Sequence, residues 1–214
     1  MLAGCSSGPL ALCTSGPFQY INIKLRKFIT MSQTRSTTIL QPKQVFVGAK
    51  NAQVTLVEFG DYESTACAEA NSVVKELLEH FDGDLKFVFR HFPLTQIHQK
   101  AMKAAEAAVA AAQTGKFWEM HNILLENRKQ LGLISLKEYA KEIGITDKRF
   151  LTNLFDGVYA WYVRQDLLEG LEQGVREIPA FFINGKRFSE EPTFENLQAA
   201  IDQCVSGCSE SSER

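Results

Sequence analysis

The sequence lacks the features that mark several classes of protein. No apolar segment reaches the roughly 18 residues of a membrane-spanning helix, so no transmembrane segment is predicted. No basic run is long enough to follow a phosphate backbone, and the formal net charge is -2, so nucleic acid is not an expected partner. No histidine pairs at ligand spacing with Cys204 and Cys208, so no metal site is predicted.

Closely spaced cysteine pairs are also missing. The chain has five cysteines in 214 residues, an odd number in a chain too long to need a disulfide framework. They are Cys5, Cys13, Cys67, Cys204 and Cys208, and no two of them have C-x-x-C spacing. Cys204 and Cys208 could pair if the end of the last helix bends, or they could remain free thiols that face solvent.

The first 40 residues show no complete export signal. Met1-Leu-Ala-Gly-Cys5 resembles the end of a bacterial lipoprotein signal, but the apolar stretch of about 7–15 residues that should precede the cysteine is missing. Residues 1–40 predict a disordered tail, or an over-extended start with the natural one at Met31. A chain that starts at Met31 predicts a cytoplasmic protein; export, or a lipid anchor at Cys5, is the alternative.

The first regular segment after the tail has β-α-β order. Val54–Gly60 is apolar and β-rich, as in a buried strand. Ser64 or Thr65 can cap the helix that follows, and Leu85–Phe92 is a second strand. This order indicates parallel pairing of the two strands through a right-handed crossover.

A block of helices follows, and then the pattern returns to strands. The predicted helices are Gln99–Thr114, Phe117–Asn127, Ser135–Ile143 with a capping box at Ser135 and Glu138, a helix capped by Asp147 that runs to Phe155, and Val158–Leu171. Ala180–Ile183 is a short strand, Asn184-Gly185 a hairpin turn and Lys186–Phe188 its return strand. Thr193 caps a final helix.

The order β-α-β, helices, β-β-α and four segments of sequence resemble the DsbA-like thioredoxin-fold disulfide oxidoreductases. The segments are VTLVEFGDY, FRHFPL, GKFWEMH and IPAFFINGKRF, and the resemblance runs from about Val45 to Leu197. It implies an α/β thioredoxin fold with an inserted all-helical subdomain. Residues 41–98 would form the N-terminal half, 99–172 the insert, 173–208 the C-terminal half and 209–214 a flexible tail.

The resemblance places the active-site turn directly after Val54–Gly60, where the family usually has C-x-x-C. Here the turn reads Ser64-Thr65-Ala66-Cys67, so a hydroxyl replaces the first thiol. A serine carries almost no anion at neutral pH and forms no stable bond to sulfur, so the two-thiol cycle is excluded unless a thiol from elsewhere reaches the turn. Cys67 is then either a buried inert residue or the single thiol of a site that forms mixed disulfides.

The resemblance also assigns roles to other residues. Glu58 would be a buried acid that relays protons to Cys67, although a surface charge is the plainer interpretation. Pro179 would be a cis-proline that faces the turn and leaves the backbone of Ile178 free to pair with an extended peptide or glutathione. Thr65 and Ala66 would contact the same substrate. The four histidines, His80, His91, His98 and His121, are interpreted as structural.

Three functions stay open at this point. The first is a one-thiol oxidoreductase that acts on peptide or glutathione thiols through Cys67. The second is a redox-inactive thioredoxin-fold binding module, and the third is a glutathione transferase-like enzyme in which the Ser64 hydroxyl donates a hydrogen bond to a bound thiolate. No cofactor is expected beyond glutathione as a co-substrate, and the chain is expected to be a monomer or a weak homodimer.

Overall fold

The computed structural model describes residues 39–209, with the backbone alone for 207–209. The predicted tail as far as residue 38, the lipid-anchor and start positions Cys5 and Met31, and residues 210–214 of the flexible end predicted at 209–214 therefore lie outside the described residues. So does the side chain of Cys208, while Cys67 and Cys204 are free cysteines.

The centre of the fold is a mixed five-stranded sheet in the order β1-β3-β2-β4-β5. The strands are β1 Val47–Gly48, β2 Val54–Gly60, β3 Leu85–His91, β4 Ala180–Ile183 and β5 Lys186–Arg187. β2 and β3 are parallel, with Val54 opposite Leu85 and Gly60 opposite His91, as the predicted β-α-β order requires. β4 is antiparallel to both β2 and β5.

Seven α-helices surround the sheet within the described range. They are α1 Thr65–His80, α2 Ala101–Ala112, α3 Phe117–Glu126, α4 Leu133–Glu142, α5 Arg149–Phe155, α6 Ala160–Glu172 and α7 Phe194–Ser209. α1 connects β2 to β3, and α2 to α6 follow one another between β3 and β4. No helix among residues 39–209 is both long and apolar enough to cross a membrane.

Alternation along β2 separates two apolar clusters. Leu56 belongs to the larger cluster, with residues of α1 and α7 such as Leu77 and Ile201. Phe59 points to the other face and packs in a smaller cluster with Phe92 and Phe182. Successive side chains of a strand alternate between its faces, so Glu58 projects to the same side as Leu56 and into the larger cluster.

Two predicted helix caps are wrong. α4 begins at Leu133 with Gly132 as its N-cap, because the Gly132 carbonyl already accepts a hydrogen bond from Leu136 N–H at 2.9 Å. The Ser135 capping box therefore does not start this helix. α5 begins at Arg149, and Asp147 lies one residue before the N-cap, although its Oδ1 still accepts from Arg149 N–H at 2.9 Å.

Candidate functional site

The turn between β2 and α1 is built around Ser64. Ser64 is the N-cap of α1, and its Oγ accepts a hydrogen bond from Cys67 N–H at 3.3 Å. This bond satisfies one of the backbone donors that a helix start leaves unpaired. Thr65 and Ala66 are exposed on the first turn, and the Thr65 hydroxyl accepts from Arg128 Nε at 3.2 Å.

A buried carboxylate that the sequence analysis did not single out holds this turn in place. Asp61 is 2% exposed, and its two oxygens accept from Glu63 N–H at 2.7 Å and from Leu94 N–H at 2.8 Å. Its Oδ2 also lies 2.9 Å from Nδ1 of His98. An aspartate directly after a buried strand is a usable sequence signal, because a short acid suits backbone donors in a turn.

Cys67 is completely buried on the inner side of α1. Burial, and next the charge of Glu58, raise the pKa of the Cys67 thiol to about 12. Two contacts lower the pKa of the thiol. Asp61 N–H donates to Sγ at 3.5 Å, and the Ser64 side chain hydrogen-bonds to the thiol. Desolvation outweighs both, so the thiol stays protonated at neutral pH.

Glu58 lies in β2, is 1% exposed, and is near enough to Cys67 for its charge to raise the pKa of the thiol. Its Oε1 has no hydrogen-bond partner among the described residues. Burial alone raises the pKa of Glu58 to about 8, because the apolar surroundings disfavour a carboxylate. The side chain is therefore mostly protonated at pH 7 and can hold a proton next to the thiol.

Two buried histidines lie near the same cluster and are both neutral. His121 connects Tyr62 and Asn71, with Nδ1 3.2 Å from the Tyr62 hydroxyl and Nε2 3.3 Å from Asn71 Oδ1. Neither ring nitrogen of His91 has a partner in the described part of the chain. Burial lowers the pKa of each histidine to about 3, so both have the structural character expected from the sequence.

A surface groove lies beside the turn. It has a volume of about 850 Å³ and is lined by Ala66 and Val73 of α1, by Ile178 and Pro179, and by Phe188. The Ile178–Pro179 peptide bond is cis. Within residues 39–209, the backbone N–H and C=O of Ile178 make no hydrogen bond.

The candidate residues divide into two layers. The groove brings together Ala66, Ile178 and Pro179, which were predicted to contact substrate. Cys67 and Glu58 lie in the interior, and Ser64, which caps the helix at the boundary, is 8% exposed. Thr65 lies on the turn but does not line the groove in the part of the chain that the structure describes.

Comparison with known proteins supports this assignment of the fold. Residues 40–203 match the model of a family described as thioredoxin. The Na(+)/H(+) antiporter NhaA 1 of Salinispora arenicola is 38% identical over 160 residues, which are 75% of this chain and 24% of the antiporter. The chain thus spans about a quarter of the length of this curated relative.

Two solved structures have the same arrangement of elements. BdbD from Bacillus subtilis superposes with a TM-score of 0.70 at 24% identity, over 78% of this chain and 93% of BdbD. The thiol-disulfide exchange protein alpha-DsbA2 from Wolbachia pipientis superposes with a TM-score of 0.66 at 22% identity, over 88% of this chain and 99% of that protein. These likenesses confirm the predicted DsbA-like thioredoxin fold with helices inserted between its halves.

Proposed function

Because the chain belongs to the thioredoxin family, and its first active-site thiol is replaced by Ser64, we propose that it is a binding module for extended peptides. The peptide would lie in the groove beside Pro179 and pair with the backbone of Ile178. Cys67 would take no part in chemistry while the protein is in its resting conformation.

The burial of Cys67 is the observation that carries this proposal. Only the thiolate attacks a disulfide, and a pKa of about 12 leaves a thiolate fraction on the order of 10⁻⁵ at pH 7. An ordinary cysteine with a pKa of about 8.5 is roughly 3% thiolate at that pH. A thiolate of higher pKa is intrinsically more nucleophilic, which offsets part of this difference, so Cys67 should react roughly 50- to 100-fold more slowly than an exposed thiol before its steric burial is counted.

The groove supplies what an extended peptide needs for binding. A free backbone N–H and C=O at Ile178 can add hydrogen bonds in the manner of an extra strand. Apolar side chains around it, such as Val73, Phe188 and Phe194, can receive alternate residues of the peptide. None of these contacts requires a thiol at position 64.

Peptide binding can be tested with a pair of tryptophan variants. Ala66→Trp fills the rim of the groove, whereas Ala199→Trp adds the same side chain at an exposed position of α7 that does not line it. With cysteine-free fluorescent peptides, we expect Ala66→Trp to weaken binding by about tenfold or more and Ala199→Trp to leave it unchanged. Equal affinities for both variants would place binding elsewhere, and no binding by the unmodified protein would refute the proposal.

A one-thiol oxidoreductase is the second candidate. It is favoured by the position of Cys67 in the first turn of α1, where Asp61 N–H donates to Sγ. If the turn opens, the thiolate could attack a peptide or glutathione disulfide, form a mixed disulfide and release one substrate thiolate. Rapid alkylation below pH 7 of a variant that lacks the other four cysteines would support this candidate, and no reaction would support the binding module.

The transferase-like function depends on Ser64 alone. Ser64 Oγ accepts from the Cys67 backbone N–H, and its hydroxyl would have to turn from the Cys67 thiol, to which it also hydrogen-bonds, to donate to a ligand thiolate. Retention of glutathione that is lost in Ser64→Ala and kept in Cys67→Ala would favour this function over the other two.

For the location we infer export rather than the cytoplasm. The fold is shared with a thiol-disulfide exchange protein, and disulfides persist mainly outside the cytoplasm. Fractionation of the native host together with the N-terminal mass of the mature chain tests this inference, and a cytosolic chain that begins at Met31 would contradict it. A monomer or weak homodimer remains the expected oligomeric state, to be measured by analytical ultracentrifugation.

A further inference from the structure

The charged side chains that line the groove beside Pro179 are mostly acidic. Glu69, Glu177, Glu190 and Glu191 line it, and Arg187 is the single basic residue in the lining. Four carboxylates and one guanidinium give the lining a formal charge of -3. The whole chain has a formal charge of only -2, so negative charge is concentrated at this groove.

The one basic residue is already engaged within the protein. Arg187 donates from Nη1 to the Gly174 carbonyl at 2.8 Å, and its Nη2 lies 3.9 Å from Glu177 Oε1. This leaves Glu69, Glu190 and Glu191 as the acids of the groove whose carboxylates make no ion pair or hydrogen bond with another described residue. Three carboxylates around the free backbone of Ile178 would repel an anionic ligand and attract a cationic one.

We infer that the groove selects extended peptide segments that carry lysine or arginine, and that it excludes glutathione. This inference rests on the proposed function, since it names the class of peptide that the same groove takes. In a strand-like peptide, alternate side chains point in opposite directions. Those that point away from the apolar lining residues can reach the exposed glutamates of the groove. Glutathione carries two carboxylates and one ammonium group at neutral pH, so its net charge has the same sign as the groove.

The inference can be tested with three fluorescent peptides that differ only in charge. Each has about ten residues, in which valine alternates with lysine, with serine or with glutamate, and binding is measured by fluorescence anisotropy. We expect affinity to fall in the order lysine, serine, glutamate at low salt. The preference should shrink toward equality at about 1 M salt, because exposed charges are then screened within a few ångströms.

A charge-neutral variant of the groove provides the matched comparison. Glu190→Gln together with Glu191→Gln removes two charges from the lining, whereas Glu142→Gln together with Glu172→Gln removes two exposed charges that do not line the groove, at the ends of α4 and α6. Each exposed ion pair contributes roughly twofold to threefold in affinity, so the first pair of substitutions should weaken binding of the lysine peptide by about fourfold to ninefold and leave binding of the serine peptide unchanged. The second pair should change neither affinity.

The outcomes separate this inference from the proposed function. Equal affinity for the lysine and serine peptides, or displacement of a bound peptide by glutathione, overturns the charge selection and leaves peptide binding standing. Absence of binding by all three peptides overturns both. The predicted order of affinities, with its loss in the Glu190/Glu191 variant, supports both.

Discussion

The buried acid near Cys67 should make the stability of this protein depend on pH in a characteristic way. Glu58 has a pKa of about 8 in the folded protein, against 4.5 as its ordinary value. The folded state therefore holds this proton more tightly than the unfolded chain does. Its contribution to stability is complete below about pH 4.5 and is lost as the pH rises toward about 8.

The size of the effect follows from the pKa difference. One pKa unit corresponds to about 1.36 kcal/mol, so the full span of about 3.5 units is worth roughly 5 kcal/mol. Between pH 6.5 and 8 the loss from Glu58 amounts to about 1.5 kcal/mol. The two buried histidines, whose pKa falls from 6.5 to about 3 on folding, act in the opposite direction at the acid end of this window, and they do so equally in a variant that changes only residue 58.

The perturbation that isolates this contribution is Glu58→Gln, which keeps the shape of the side chain and removes its titration. Urea unfolding of both proteins at pH 6.5, 7.2 and 8 gives the free energy of unfolding at each pH. The variant should gain about 1.5 kcal/mol relative to the unmodified protein across the series, whatever its offset at pH 6.5. Glu172→Gln, an exposed control, should show a constant difference. A constant difference for Glu58→Gln as well would refute the assignment of a proton to this carboxyl.

Three further predictions concern the turn and the packing of α6 against the smaller apolar cluster. Ser64→Cys should form a disulfide with Cys67 under mild oxidant, because residues three apart at a helix start have Cα atoms close enough for a bridge. Mass analysis that finds two persistent thiols in a folded variant would show that the turn is misplaced. Ser64→Ala should cost about 1 kcal/mol of unfolding free energy through loss of the N-cap, and an unchanged urea midpoint would contradict that role. Gly170→Ala should destabilise by roughly 1–3 kcal/mol, since the added methyl would meet Phe92 at 2.7 Å; a thermal melt at or above the original temperature would contradict this packing.

The regular elements were predictable where the signal is local. β2 has the predicted bounds Val54–Gly60, and β4 the predicted bounds Ala180–Ile183, since short apolar β-rich runs between turn residues favour buried strands. Asn184 has a φ of 49° and Gly185 a φ of 79°, the conformation that the Asn-Gly pair predicts. The start of α4 was mispredicted because a capping box competes with other N-caps, and here Gly132 begins the helix one turn earlier.

The candidate site was only partly predictable for a different reason. Residue type and order were enough to show that no cysteine stands three residues before Cys67, and therefore that no local disulfide can close there. They were also enough to identify Ser64 as a possible cap. The acids of the groove, Glu69, Glu190 and Glu191, come from two distant segments, so their convergence could not be read from either segment alone.

Chain order and side-chain chemistry thus specified the family, the strands and the absence of a cysteine three residues before Cys67, because these depend on neighbours along the chain. Tertiary packing, by contrast, decided whether the Cys67 thiol and the Glu58 carboxyl ionise. The environment of Cys67 and Glu58 is assembled from β2, α1 and the helices inserted after β3, and the desolvation that moves both pKa values upward exists only after those elements close around them.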